Sequence, residues 1–210
     1  MELSKYKLIL GSQSPRRKEL LSWLNIPFSI VTADLAEISD ETSSEKIAMD
    51  LASQKAHAVW EKLKIENKSG ENYFVMASDT IVVLNEKLYG KPNDKDDAKK
   101  ILRELSGNTH RVITGVCFLF KNLETKKIRE HLFFDTTEVD FNDISDDLLE
   151  AYIATGDSLD KAGAYGIQGP SLTFISKING SYSNVVGFPL DKVVGELSIV
   201  LGENFKKCFL

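Results

Sequence analysis

Cysteine is nearly missing from this chain. Cys117 and Cys208 are the only two in 210 residues. They lack metal-ligand spacing, so a disulfide framework and a zinc ribbon are both excluded as readings. No apolar run approaches the length that spans a bilayer. There is no Walker A spacing, no Gly-x-Gly-x-x-Gly and no serine nucleophile elbow. His57, His110 and His131 are too scattered for a metal triad. Positive charge is not in excess: 26 Lys and Arg against 31 Asp and Glu leave a net charge of −5. That balance argues against a non-specific nucleic-acid coat and leaves anion binding to a local basic cluster. Lys5 and Lys7 precede only Leu8-Ile9-Leu10 before Gly11, too short for a signal peptide, so the expected compartment is the cytoplasm. Internal repeats and low-complexity tracts are also missing.

What is present is ordinary globular usage, 42% hydrophobic and 27% charged, over a length that suits one domain, taken as residues 1–210. Leu8 to Gly11 reads as a short buried strand. Ser14-Pro15 opens a helix carrying Leu20, Leu21 and Leu24, and Phe28 to Val31 returns as a strand. A second helix starts near Ser43 or Ser44 and shows apolar spacing from Ile47 to Leu63, followed by a loop over Glu66 to Gly70. Phe74 to Leu84 reads as a buried strand, Asn85 to Lys87 as a turn and Asp94 to Leu105 as a helix. Val112 to Phe120 and Ile128 to Val139 form a hairpin. Ser145 caps a helix that Gly156 ends. A strand is expected at Thr173 to Ile178 within a glycine-rich stretch, and a last helix at Leu190 to Leu201. The pattern predicts an α/β fold, a mixed twisted sheet flanked by helices.

Several polar residues fit this frame poorly as mere surface. Arg16 and Arg17 oppose the dipole of the helix they begin unless an anion sits there; the other reading is two solvated arginines. Asp79, beside Thr80, interrupts an apolar strand. It must be paired, ligate a metal or face a cleft. Glu37 lies in an acidic loop with Asp34 and Asp40. Lys55 sits between Ala52 and Ala56 on an apolar helix side, and Lys91 lies between Gly90 and Pro92. Gly163, Gly166 and Gly169 allow close approach of a flat ligand. Basic groups combined with isolated carboxylates are what a polyphosphate and a divalent cation require.

Ser12-Gln13-Ser14-Pro15-Arg16-Arg17 followed by Glu19-Leu20-Leu21 resembles the N-terminal signature of the Maf family of nucleoside triphosphate pyrophosphatases. The resemblance continues through Glu37, Lys55-Ala56, Ala77-Ser78-Asp79-Thr80, Gly90-Lys91-Pro92, Leu105 to His110, Asp160 to Gly169 and Ile178 to Gly187. It implies an inosine-triphosphatase-like architecture with a central cleft, a homodimer, and a divalent metal, Mg²⁺ or Mn²⁺. It implies cleavage between the α and β phosphates. By the same resemblance Asp79 is the catalytic aspartate, and Glu37 with Asp79 holds the metal. Ser12, Arg16, Arg17, Lys55 and Lys91 surround the phosphates. Arg16, Thr80 and Gln168 sort subfamilies, and Thr80 with Gln168 resembles the dTTP/UTP branch rather than the 7-methyl-GTP branch. A role in septum formation is the other function the family suggests. Gln54, where an acidic residue is common, and Pro170-Ser171, where glycines are frequent, depart from the pattern.

Overall fold

The structure is a computed structural model, and it describes residues 3–66 and 71–202. Cys208 and the loop expected after Glu66 lie outside the described residues. In chain order the elements are β1 (Lys7–Leu10), α1 (Pro15–Ser22), β2 (Phe28–Ile30), α2 (Ser44–Glu66), β3 (Tyr73–Leu84), β4 (Lys87–Tyr89) and α3 (Lys95–Leu105). Then follow β5 (Thr109–Lys121), β6 (Ile128–Phe141), α4 (Asp146–Ala154), β7 (Ile175–Asn179), α5 (Tyr182–Val186) and α6 (Leu190–Leu201). Seven strands form one sheet in the order β2-β1-β3-β5-β6-β7, with β4 on β3. β1 runs parallel to β2 and β3, and the other pairings are antiparallel, so the sheet is mixed as expected.

Side-chain alternation along β3 divides the core into two layers. Phe74 and Met76 pack with Leu8, Leu10, Leu20, Leu21, Phe188, Val193 and Leu197, on the side of α1 and α6. Val75 and Ala77 pack with Ile9, Cys117, Leu119, Ala52, Ala56 and Val59, on the side of α2. A third cluster at the far end gathers Leu102, Leu105, Val139, Tyr152 and Phe174. Ser14 accepts a hydrogen bond from the Arg17 amide at 3.5 Å and Pro15 occupies the first helical position, so the expected start of α1 holds.

Three local readings change. The turn is Asn85-Glu86, both at positive φ (50° and 60°), the pattern of a two-residue hairpin. Lys87 already pairs with Leu84 as the first residue of β4. Pro170–Thr173 is a 3₁₀ turn, so β7 begins at Ile175 rather than Thr173. Ser181 caps the short helix α5, which has no apolar period long enough to read.

The register pairs Asp79 of β3 with Gly115 of β5, and a Cβ on Gly115 would lie 2.2 Å from the Ala48 carbonyl oxygen of α2. That close approach seats α2 against the strand that carries Asp79. Backbone cannot rotate aside as a side chain can, so Gly115→Ala must push the helix outward. The expected loss is about 2–4 kcal/mol of stability, measured as a shift in the urea midpoint; an unchanged midpoint would contradict the close packing.

Candidate active site

β5 covers one edge of β3 from Phe74 to Val83. On the other edge β1 pairs only as far as Met76, and β4 starts only at Val82. Between them, Ala77 to Ile81 have no strand neighbour on that side. A cleft of about 800 Å³ opens there, at the carboxyl end of β1 where α/β sheets place their ligands. Its lining includes Ser12, Arg16, Arg17, Glu37, Lys55, Asp79, Thr80, Lys91 and Gln168; of the other residues singled out in the sequence, Asp34 and Gly166 line it and Asp40, Gly163 and Gly169 do not.

Asp79 is buried, and its odd position in β3 turns it to the α2 side. The Lys55 ammonium donates both to Asp79 Oδ1 and, at 2.9 Å, to Glu37 Oε1. Burial pushes the Glu37 carboxyl up, but hydrogen bonding and charge from Lys55, with Lys91 and Arg17, hold it below its ordinary value. The loop that carries Glu37 is tied to α2 by Gln54, whose amide donates to the Ile38 carbonyl at 2.7 Å and to Asp50 at 2.9 Å. A carboxylate at 54 could not donate either bond. Lys91 is exposed on the cleft, with no hydrogen-bond or ion-pair partner among the described residues.

Arg17 stands differently from the expectation that it faces an anion. Its guanidinium turns inward: Nε donates to Gly187 O at 2.9 Å, Nη1 to Ser78 O at 2.7 Å and Ser12 Oγ at 3.4 Å, and Nη2 to Thr80 Oγ1 at 3.1 Å. Burial pulls this group below its ordinary pKa, partly offset by Asp79; a guanidinium stays charged regardless. Ser78 and Thr80 flank Asp79, so one fork ties α1, the open edge of β3 and the end of α5 together. Gly187 closes α5 at φ 110°, and a Cβ there would lie 3.1 Å from Thr80 Oγ1. Thr80 also shares a 3.0 Å hydrogen bond with Thr114.

Arg16 donates to Asp160 at 3.0 Å, and Lys161 bridges Asp160 and Asp157 at 2.6 Å and 2.9 Å. The Lys161 stem runs under Gly166, where a Cβ would come within 2.6 Å of it. The loop above carries Gln168, which is exposed at the cleft and makes no hydrogen bond among the described residues. The sequence marks Asp160 only as the start of a resembling segment and Gln54 only as a departure from the pattern; that they hold Arg16 and the Ile38 carbonyl is visible in the fold alone.

Residues 7–200 match the family described as Maf-like protein.

The chain belongs to the Maf family.

Curated relatives agree over nearly full length. A protein of Alkaliphilus oremlandii named dTTP/UTP pyrophosphatase is 46% identical over 200 residues, 95% of this chain and 96% of that one. Proteins of Bacillus thuringiensis and Bacillus cereus with the same name are each 42% identical over 192 residues, 91% of this chain and 94% of theirs. The Maf signature Ser12 to Arg17 thus forms the wall at the end of β1. The Maf segment Asp160 to Gly169 forms the facing loop, and no helix among the described residues is long and apolar enough to cross a membrane.

That facing loop rests on His110. His110 and the Tyr165 hydroxyl are 2.7 Å apart, Phe141 packs edge-on to the imidazole, and Nδ1 is buried without a partner among the described residues. Burial lowers the His110 pKa to about 4, with Asp140 opposing weakly. The unfolded chain therefore binds a proton near its ordinary value that the folded chain refuses. The contribution is fully present above about pH 6.5 and is lost as pH falls toward 4. Between about pH 7 and about pH 4.5 the wild type should lose roughly 2–3 kcal/mol more than His110→Gln in urea unfolding. Equal losses would show that His110 is not held neutral.

Proposed function

We propose that this Maf protein hydrolyses dTTP and UTP to the nucleoside monophosphate and pyrophosphate. The observation that carries the reading is the cleft itself: Glu37, Asp79 and Lys55 joined on one side, with the free ammonium of Lys91 and the free amide of Gln168 facing the same space. The relatives' shared name, dTTP/UTP pyrophosphatase, supports the same substrates.

The donor chemistry suits a divalent cation. Glu37 and Asp79 supply hard carboxylate oxygens and already cradle one positive charge, that of Lys55. Among the described residues no cluster of three or more His, Cys, Asp or Glu could hold a metal by itself. Two carboxylates with water and phosphate completing the shell is the usual Mg²⁺ arrangement. Glu37 and Asp79 would hold Mg²⁺ or Mn²⁺, which when bound polarises the phosphate and neutralises developing charge.

The chain's own groups do the remainder. Asp79 orients and deprotonates the water that attacks the α phosphorus. Lys91, Lys55 and Arg16 offset the triphosphate charge, with Arg16 held ready by Asp160. Ser12 lies at the phosphate end. Arg17, with four of its five N–H donors on protein, holds the strand around Asp79 and leaves one Nη2 N–H for the cleft. Thr80 fixes that fork. The Gln168 amide offers one acceptor and one donor, matching the N3–H and O4 of uracil and thymine. The resemblance further supports a cytoplasmic homodimer, which light scattering after gel filtration tests.

With Mg²⁺ or Mn²⁺ the purified protein should release pyrophosphate from dTTP and UTP; nucleoside diphosphate and single phosphate would overturn the assignment. Asp79→Asn should lower kcat by at least about a hundredfold with the fold retained. Gln168→Glu should lower kcat/KM for dTTP and UTP by about a hundredfold relative to 7-methyl-GTP; an unchanged ratio would remove Gln168 from base reading.

A further inference from the structure

The most unusual feature of the cleft is where the Lys55 ammonium sits. It does not point to the open space where a triphosphate would lie. It is wedged between Glu37 Oε1, at 2.9 Å, and Asp79 Oδ1, with only 16% of its side chain exposed. These are the same two carboxylates that the proposed function gives to the divalent cation, and this inference rests on that part of the reading. The ammonium holds one oxygen of each carboxylate, and a divalent cation on the same pair would be repelled by it at contact distance.

The surroundings decide what happens if the ammonium leaves. Lys55 reaches the pair from α2, whose approach is set by Gly115 and Ala48. Once displaced it has only the cleft to move into. That space is lined by Arg16 and Lys161, both paired with Asp160, by Arg17, and by Lys91, which has no partner among the described residues; Asp34 is its remaining carboxylate. Another positive charge beside Lys91 and Arg17 is unfavourable while the cleft holds only water. It becomes favourable when a triphosphate lies there, because phosphate oxygens accept from Lys55 as the carboxylates did. With no third acidic, His or Cys ligand in the cluster among the described residues, the carboxylate pair also lacks the donors for a tight cage of its own.

We propose that Lys55 is a resident cation: in the free protein it holds the carboxylate pair closed to divalent metal, and a triphosphate opens the pair by drawing the ammonium onto itself. Metal and nucleotide then bind with positive coupling, and by linkage each raises the affinity for the other by the same factor. The protein avoids storing a hydrolytic metal in an empty cleft, and Lys55 has two stations, carboxylate and phosphate.

Isothermal titration of Mn²⁺ into the protein without nucleotide tests this with no turnover. Wild type should bind Mn²⁺ weakly, and Lys55→Met should bind it at least tenfold more tightly. That gain should vanish when Asp79→Asn is added to Lys55→Met. Wild-type protein saturated with α,β-methylene-dUTP, in which the scissile bridge cannot break, should also bind Mn²⁺ at least tenfold more tightly than wild type alone. A Lys55→Met protein no tighter than wild type overturns the proposal. So does wild type that binds Mn²⁺ equally well with and without the bound analogue. If Lys55→Met does not fold, Lys55→Gln, which keeps a donor but no charge, takes its place with the same expected gain. Failure of dTTP and UTP turnover alongside a gain that Asp79→Asn abolishes would sink the substrate assignment and leave the resident lysine standing.

Discussion

Between Leu10 at the end of β1 and Tyr89 at the end of β4, a short stretch of β3 is left with backbone groups facing no strand. Unpaired backbone in a buried sheet is costly, and the gap must be filled by something other than a strand. Arg17 fills part of it by donating to Ser78 O, and the same guanidinium reaches Ser12, Thr80 and Gly187. The cleft is therefore a consequence of sheet topology. The group that repairs the exposed edge also sets the positions of the residues on either side of Asp79.

Charge balance follows from the same geometry. Asp79 lies in an apolar strand, where an unpaired carboxylate would be strongly destabilising. α2 supplies the partner: small residues at Ala48, Ala52 and Ala56 let the helix lie close, and Lys55 comes over the strand. Glu37 completes the group only because Gln54 anchors its loop. Opposite, Arg16, Asp160, Lys161 and Asp157 form a chain of ion pairs that links the first turn of α1 to the loop bearing Gln168. The two walls of the cleft are thus mechanically connected through side chains, one of which, Lys161, is also packed beneath Gly166.

Much of this was legible in the residues. Apolar periodicity and caps located α1, α2, α3, α4 and α6, and the β5–β6 hairpin followed from two long β-branched and aromatic runs. Asp79 stood out because a carboxylate breaks an apolar strand, and Lys55 because it lies between two buried alanines. The missed features are either too short to show a period or depend on partners far away in sequence. β4 is only Lys87–Tyr89 and exists through its pairing with β3. α5 is held by Ser181 and by Asn184, whose side chain donates to Val112 O and Thr137 Oγ1. Arg17 reads as an anion ligand from its place in the first turn, and only the fold shows that the carbonyls of Ser78 and Gly187 and the hydroxyls of Ser12 and Thr80 take four of its five donors. The dipole misfit of two arginines is resolved within the protein, by Asp160 for one and by those carbonyls for the other.

In the proposed reaction the carboxylate wall at Asp79 directs water to the α phosphorus while the basic wall holds the departing pyrophosphate. Turnover of dTTP in ¹⁸O-labelled water, followed by mass spectrometry of both products, reads this directly. One labelled oxygen is expected in the nucleoside monophosphate and none in the pyrophosphate. Label in the pyrophosphate would mean attack at the β phosphorus and would contradict it.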